Sequence, residues 1–296
     1  VIFTKIVVGN CLDNLKALPS NSIHSCVSSP PYFSLRNYGT DGQIGLEELP
    51  EEYVPKIVEV FSEVKRVLRK DGTLWLNLGD SWWNNYGGGS ATMTTGNAQA
   101  VKARGRCNRP KHSFLKIKDL IGIPWQVAFA LQKDGWYLRQ EIIWHKPNAC
   151  PESVFDRCTK SHEYIFLLSK SSKYYFDSKA ISEPATSHIG INNEKKLRNK
   201  RSVWSVPVAR FKEAHFATFP TQLIEPCILA GCPEGGTVID PFGGAGTTAL
   251  VANRNNRNAI LYEINTEYVE MAKKRLLGCI PNLQVDVIKS INLSQT

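Results

Sequence analysis

Two stretches of this chain carry residue types that could do chemistry together, and each follows a short apolar run. The first is Ser28-Ser29-Pro30-Pro31-Tyr32. Two consecutive prolines fix the backbone and remove two N–H donors, so the carbonyls just before them are rigid and available as acceptors. Such acceptors suit an amine. An exocyclic amino group on a base is a poor nucleophile because its lone pair is conjugated into the ring. Hydrogen bonds from its N–H to Ser29 Oγ and to the Pro30 carbonyl would make that lone pair more available, and Tyr32 could stack on the flat ring. The second stretch is Asp240-Pro241-Phe242-Gly243-Gly244-Ala245-Gly246-Thr247-Thr248, a glycine-rich turn between an apolar run and a helical pattern. Glycines there let the backbone approach a ligand closely. Glu263 stands 23 residues beyond Asp240, at the end of the next apolar run, where a carboxylate can accept hydrogen bonds from both hydroxyls of a ribose. Dinucleotide binding uses similar geometry, but the turn lacks the third glycine at the usual offset. The Asp240 carboxylate at its mouth would also repel a pyrophosphate and suits a cationic ligand better.

To hold these stretches the chain needs a sheet with helices between its strands. Apolar runs at 5–8, 25–28, 73–78, 138–144, 164–168, 237–240 and 259–262 predict seven strands alternating with helical patterns, hence an α/β fold with an open, mostly parallel sheet. The clearest helix lies within 51–68, with Val54, Ile57, Val58, Phe61, Val64 and Leu68 on one face and Asp71-Gly72 as its stop. Another is predicted over 266–277, ending in Lys273, Lys274 and Arg275. Two segments break the alternation, 84–118 and 185–212, and insertions of that length without structure of their own are usually functional or disordered.

The formal charge of +9 concentrates in those segments. Residues 86–118 carry seven Lys or Arg and no acid, and a second basic stretch spans 195–212, which favours a polyanionic partner. Eight cysteines without the short spacing of a zinc site predict reduced, mostly buried thiols and no metal. No apolar run approaches a membrane span and no cleavable leader is evident, so an intracellular globular protein is expected.

The Ser29-Pro30-Pro31-Tyr32 stretch, taken with 240–247, resembles the amino-group DNA methyltransferases of the β arrangement, in which the catalytic motif precedes the cofactor motif. The likeness runs over nearly the whole chain. Gly9-Asn10-Cys11 resembles the family element that contacts the cofactor's adenosine, His215-Phe216-Ala217-Thr218-Phe219-Pro220 the element that packs on its methionine part, and Tyr262-Glu263 the ribose-binding strand end. Asn10 stands where the family commonly has aspartate, and Gly244 where alanine or serine is frequent.

The resemblance implies one catalytic domain over 1–296, with a circularly permuted motif order on a Rossmann-like fold. It also implies S-adenosyl-L-methionine as cofactor and DNA as partner. Ser29, Pro30, Pro31 and Tyr32 become the catalytic residues. Asn10, Cys11, Ser28, His215, Phe216, Thr218, Phe219, Asp240, Pro241, Phe242, Gly243, Gly244, Gly246, Thr247, Thr248, Glu263 and Asn265 become the cofactor site. Arg104, Arg106 and Arg109 in the first insertion, with Lys195, Lys196, Arg198, Lys200 and Arg201 in the second, are expected to contact DNA, mainly at phosphates; 185–212 is expected to recognise the target.

Within that family, serine before Pro-Pro-Tyr goes mainly with cytosine N4 and aspartate or asparagine mainly with adenine N6. The expected function is therefore site-specific N4-cytosine methylation of DNA with base flipping, as in restriction–modification. The alternatives are N6-adenine methylation and, beyond that, a catalytically weak DNA-binding module. Carbon-5 methylation would need a cysteine nucleophile; Pro226-Cys227 offers one by sequence but lies in an apolar, helix-like stretch that reads as core.

Overall fold

Leu49 is extended, Pro50 sits at the first helical position and Glu51 and Glu52 follow in the first turn, so the chain enters its longest helix with an N-terminus that suits both the fixed φ of proline and the helix dipole. In the computed structural model, which describes residues 2–84, 111–185, 197–208 and 219–289, the helices are α1 (Cys11–Lys16), α2 (Pro50–Val67), α3 (Ile123–Lys133), α4 (Thr221–Gly231), α5 (Thr247–Arg254) and α6 (Thr266–Cys279). The strands are β1 (Phe3–Val8), β2 (Ile23–Ser28), β3 (Leu68–Leu78), β4 (Tyr137–His145), β5 (His162–Ser169), β6 (Glu183–Pro184), β7 (Leu197–Arg198), β8 (Val203–Ser205), β9 (Thr237–Asp240), β10 (Asn258–Glu263) and β11 (Gln284–Lys289). Helix α2 buries Tyr53, Ile57, Val60, Phe61, Val64 and Val67, so its inward face is rotated from the sequence reading, and Val54 and Val58 are only half-buried. It ends at Val67, before Asp71-Gly72, because Leu68 is already extended and begins β3.

The main sheet has nine described strands in the order β11-β1-β10-β9-β2-β3-β5-β4-β8. All seven expected strands are present, and β8 and β11 extend the two edges. From β11 to β3 every pairing is parallel; β5 is antiparallel to both β3 and β4, and β8 runs parallel to β4. Side chains alternate between two cores: Leu74, Leu76 and Leu78 of β3 pack with α2 and α3 on one face, while Trp75 joins α4, α5 and α6 on the other. The described residues 197–208 of the second insertion carry two short strands: β7 pairs with β6, and β8 packs Trp204 beside Trp144.

The adjacency of β9 and β2 positions the site. The chain leaves β9 through α5 towards β10 and leaves β2 through α2 towards β3, so the two connections diverge to opposite sides. A crevice opens at such a switch point, at the carboxyl ends of the strands, and this is where open α/β sheets bind ligands.

Candidate active site

At that crevice one buried carboxylate joins two loops far apart in the chain. Asp240, at the end of β9, accepts from Ser28 Oγ at 2.6 Å and from the Phe242 N–H at 3.0 Å through Oδ1, and from Thr248 Oγ1 at 2.7 Å through Oδ2. Burial raises its pKa, and these three donors oppose that shift. Asp240 lines the cleft, yet its oxygens are also engaged within the fold, where they tie the end of β2, next to Ser29, to the glycine turn. Gly243 passes so close to β10 that an added Cβ would lie 2.9 Å from the Leu261 Cβ, and its N–H donates to Tyr262 O at 2.8 Å. Gly244 (φ 48°) and Gly246 (φ 74°) take left-handed angles that disfavour a side chain.

Glu263 closes the other side. Its Oε2 accepts from the Gly244 N–H and its Oε1 from the Asn265 N–H, both at 2.8 Å, which leaves lone pairs on each oxygen. Burial raises its pKa. Asn10 caps α1 through Leu12 N–H at 2.8 Å, and burial pushes the neighbouring Cys11 thiol up to about 12, so its sulfur stays protonated.

Beyond Ser29, Tyr53 donates to the Pro31 carbonyl at 2.8 Å, whereas the Pro30 carbonyl has no partner among the described residues. Tyr32 lies half-buried with its hydroxyl turned inward, 2.8 Å from Glu163 Oε2 and 3.1 Å from Asn77 Oδ1, and Ser29 Oγ donates to it at 3.4 Å. Its ring passes close to Gly79, where an added Cβ would lie 2.5 Å from Tyr32 Cε2. Burial, then the Glu163 charge, holds the phenol well above its usual pKa, so it stays neutral.

Ser29, Pro31, Gly243, Gly244 and Glu263 all line one open cleft, walled by Phe219, Phe242, Tyr38 and Tyr268. The two chain-distant motifs thus meet on one side of the sheet. Residues 23–274 match the DNA methylase family of N6 and N4 amino methyltransferases. The chain belongs to the N6/N4 DNA methylase family.

Among curated relatives, the methylase is 49% identical over 270 residues to the Type II methyltransferase M.Cfr9I of Citrobacter freundii, covering 91% of this chain and 86% of that one. It is 46% identical to M.SmaI of Serratia marcescens over 92% and 90% of the two chains. Among solved structures, the PvuII cytosine-N4-specific DNA methyltransferase superposes with a TM-score of 0.68 at 18% identity, covering 96% and 95% of the chains. A DNA modification methylase of Thermus thermophilus, in complex with S-adenosyl-L-methionine, gives 0.66 at 22% identity over 98% and 99%. These two likenesses speak for the fold.

The methylase takes its methyl group from S-adenosyl-L-methionine, and the cleft fits that molecule. The Glu263 oxygens keep acceptor capacity for ribose hydroxyls, the glycine turn gives close backbone approach, and the aromatic walls suit an adenine ring. Of the residues assigned to the cofactor by sequence, Asn10, Cys11, Phe219, Asp240, Pro241, Phe242, Gly243, Gly244, Thr247 and Glu263 line the cleft. Ser28 and Thr248 hold Asp240 by hydrogen bonds, and Gly246 is the N-cap of α5. Asn265 caps α6 through Glu267 N–H and holds Glu263 with its own N–H.

His215, Phe216 and Thr218 fall outside the described residues, as do Arg104, Arg106, Arg109, Lys195 and Lys196. Of the remaining expected DNA contacts, Arg198 and Arg201 both pair with Glu183, at 3.0 and 2.6 Å, and Lys200 lies over the Trp204 ring at 5.2 Å. Sequence reasoning missed Arg36, Tyr38, Thr40 and Gln43, a wall of the cleft supplied by the loop after Tyr32, and it missed Glu163, one residue before the strand predicted at 164–168. An aromatic and an arginine in a glycine-bearing loop directly after the proline pair were the available signal. Cys227 is buried in α4 with its thiol pKa pushed far up, as the core reading had it. No cluster able to hold a metal occurs among the described residues, and none of their helices is long and apolar enough to cross a membrane.

Proposed function

We propose that this DNA methyltransferase modifies the N4 amine of cytosine, flipped out of a duplex into the space beside Ser29 and Tyr32. The observation that carries the reading is that Ser29, next to a Pro30 carbonyl without a partner among the described residues, opens onto the same cleft as the Gly243 turn. Ser29 Oγ and the Pro30 carbonyl are the acceptors for the two amine hydrogens, which frees the nitrogen lone pair from the ring, and Tyr32 stacks on the base. Serine in this place, rather than the aspartate or asparagine that goes mainly with adenine in this family, favours cytosine.

When bound, the cofactor supplies an electrophilic methyl group. Everything else is positioning by the chain. The Asp240 carboxylate holds Ser28, and so the Ser29 backbone, in register with the glycine turn, and a fixed approach of that kind removes much of the entropic barrier to an in-line transfer. No covalent enzyme intermediate is required. Because a paired base is out of reach inside a duplex, extrusion precedes transfer. The basic segments 84–118 and 185–212 are the candidates for backbone contacts to DNA and for reading the site, with Arg104, Arg106, Arg109, Lys195, Lys196 and Lys200 chiefly at phosphates. The identity to Type II enzymes over nearly the full chain supports a role in restriction–modification.

The test is incubation with labelled cofactor and unmethylated genomic DNA over a range of salt, then nucleoside mass spectrometry. N4-methylcytosine is expected, with incorporation falling steeply as salt rises. Recovery of N6-methyladenine alone would overturn the base assignment.

A further inference from the structure

The Tyr32 hydroxyl has more polar neighbours than a stacking residue needs, and their chemistry fixes the direction of each hydrogen bond. A phenol has one proton. Glu163 Oε2 is the nearest acceptor, at 2.8 Å, and it is anionic, whereas Asn77 Oδ1 is neutral and stands at 3.1 Å. Charge-assisted bonds are shorter and roughly twice as strong, so the proton goes to Glu163. Asn77 cannot supply a second one: its Nδ2 donates to Tyr164 O at 3.0 Å and to Glu163 Oε2 at 3.3 Å, which leaves its oxygen facing the phenol. The remaining lone pair on the Tyr32 oxygen is therefore met by Ser29 Oγ, which donates to it.

The far end of this chain is anchored. Glu163 Oε1 holds the Lys146 ammonium, the two side chains are only 15% and 18% exposed, and Lys146 also lies 4.3 Å from the centre of the Trp144 ring. Glu163 and Tyr164 lie near the start of β5, while Asn77 lies at the adjoining end of β3, paired to β5 in register Asn77↔Ile165, and Gly79 follows that strand. Two rigid strands thus present the acceptors. Nothing in stacking a base calls for such an arrangement.

We propose that Glu163, supported by Lys146 and Asn77, is a positioning residue that draws the Tyr32 proton inward and, through it, the Ser29 proton. Ser29 Oγ then turns only lone pairs to the cleft and meets the target amine as an acceptor. Without the carboxylate the phenol is free to donate to Ser29, and the serine proton can turn towards the amine nitrogen. A donor on that nitrogen ties up the lone pair that must attack. This inference rests on the reading of Ser29 as the amine acceptor, and it holds for cytosine N4 and adenine N6 alike.

The experiment is single-turnover transfer of labelled methyl to unmethylated genomic DNA, with cofactor and DNA affinities and melting midpoint measured alongside. Glu163→Gln keeps the shape and removes the charge; Tyr32→Phe keeps the ring and removes the hydroxyl. Each is expected to slow transfer by about tenfold or more, the weight of one well-directed hydrogen bond, while both affinities stay within about twofold, a spread well under the tenfold that 1.4 kcal/mol represents. Because both act through one hydroxyl, the double variant should be no slower than the slower single one. Transfer at the parent rate in Glu163→Gln, losses that multiply in the double variant, or a loss confined to binding would each overturn the proposal.

A further arm does not touch Glu163: in a Ser29→Ala background Tyr32→Phe should cost nothing more, and a further tenfold loss there would also overturn it. The readout counts methyl label whichever base receives it. A failed base assignment would instead appear in the nucleosides made by the unaltered protein.

Discussion

Gly79→Ala isolates the placement of Tyr32 from everything else in the site. Gly79 does not have a left-handed φ, so alanine suits its backbone. The obstacle is lateral: the new Cβ would stand 2.5 Å from Tyr32 Cε2, 3.0 Å from Cδ2 and 3.3 Å from Cζ. Carbon atoms rest at about 3.5–4.0 Å, so the ring must retreat by roughly 1 Å. It cannot do so freely, because its hydroxyl is held by Glu163 at 2.8 Å and the Tyr53 hydroxyl bonds the Pro31 carbonyl beside it at 2.8 Å. Overpacking of this kind costs about 1–3 kcal/mol of stability, which lowers the melting midpoint by a few degrees. The effect on chemistry is expected to be larger, since a misplacement of about 1 Å can slow transfer by about a hundredfold. Cofactor affinity should be unchanged, because Gly79 and Tyr32 do not line the cofactor cleft. Single-turnover methyl transfer and calorimetric cofactor binding on the same preparation check both halves. A Gly79→Ala protein that transfers methyl at the parent rate would refute the claim that the Tyr32 ring position matters to the reaction.

Asp240 gives a contrast between two substitutions. Asp240→Ala strands the Ser28 hydroxyl, the Thr248 hydroxyl and the Phe242 N–H at about 1–3 kcal/mol each, so a melting midpoint lowered by ten degrees or so, with cofactor binding largely lost, is expected in a thermal melt. Asp240→Asn can still face Ser28 and Phe242 with its oxygen, while Thr248 turns its proton to the Val27 carbonyl, 3.4 Å away, and accepts from the amide; its melt should lie much nearer the parent. Equal melts for the two would contradict this account.

For Glu263 the sign of the pH effect is determined by burial. If the ionised carboxylate accepts from the ribose, its raised pKa means that cofactor affinity should begin to fall at a higher pH than the ordinary glutamate value of 4.5 would give. Stability runs the other way: the folded chain holds this proton more tightly than the unfolded one, so the group's contribution is present in acid and is lost as pH rises through the folded pKa. Glu263→Gln should weaken cofactor binding by about tenfold or more and flatten its pH dependence in calorimetry. A slope that persists in the variant would assign the effect elsewhere.

The parts of this fold that sequence could convey are those whose cause is local. The central strands β2, β9 and β10 announce themselves as apolar runs because both faces of the parallel part of the sheet are covered, whereas β4, largely exposed over its first half, shows only the apolar end Ile142 to Trp144. Strand β11 does not announce itself, being an edge strand with mostly exposed or half-buried residues, and β8 has three residues of which only Trp204 is buried. The Pro-Pro-Tyr stretch and the glycine turn were legible because proline, glycine and carboxylate each do a local thing to the backbone. What was hidden depended on distance along the chain. Whether Asp240 faces a ligand or the fold depends on Ser28, 212 residues earlier, and the Tyr32 hydroxyl depends on Glu163, 131 residues later.

Those long-range contacts also explain how a permuted order of motifs can make one active site. The ladder joining β2 to β9 is brief, with register recorded only at Ser25↔Val238 and Cys26↔Ile239, and both strands run on past it to the residues that carry the chemistry. A ladder that stops there leaves the strand ends free to splay with the divergent helices that follow. The Asp240 carboxylate closes that gap, since one oxygen binds the end of β2 through Ser28 while both bind the turn and helix that follow β9. The separation between Ser29 and the glycine turn is thus set by three short hydrogen bonds to one buried group rather than by the sheet alone. The connection between the motifs can then be over two hundred residues long, and can come in either chain order, without altering the distance across which the methyl group must pass.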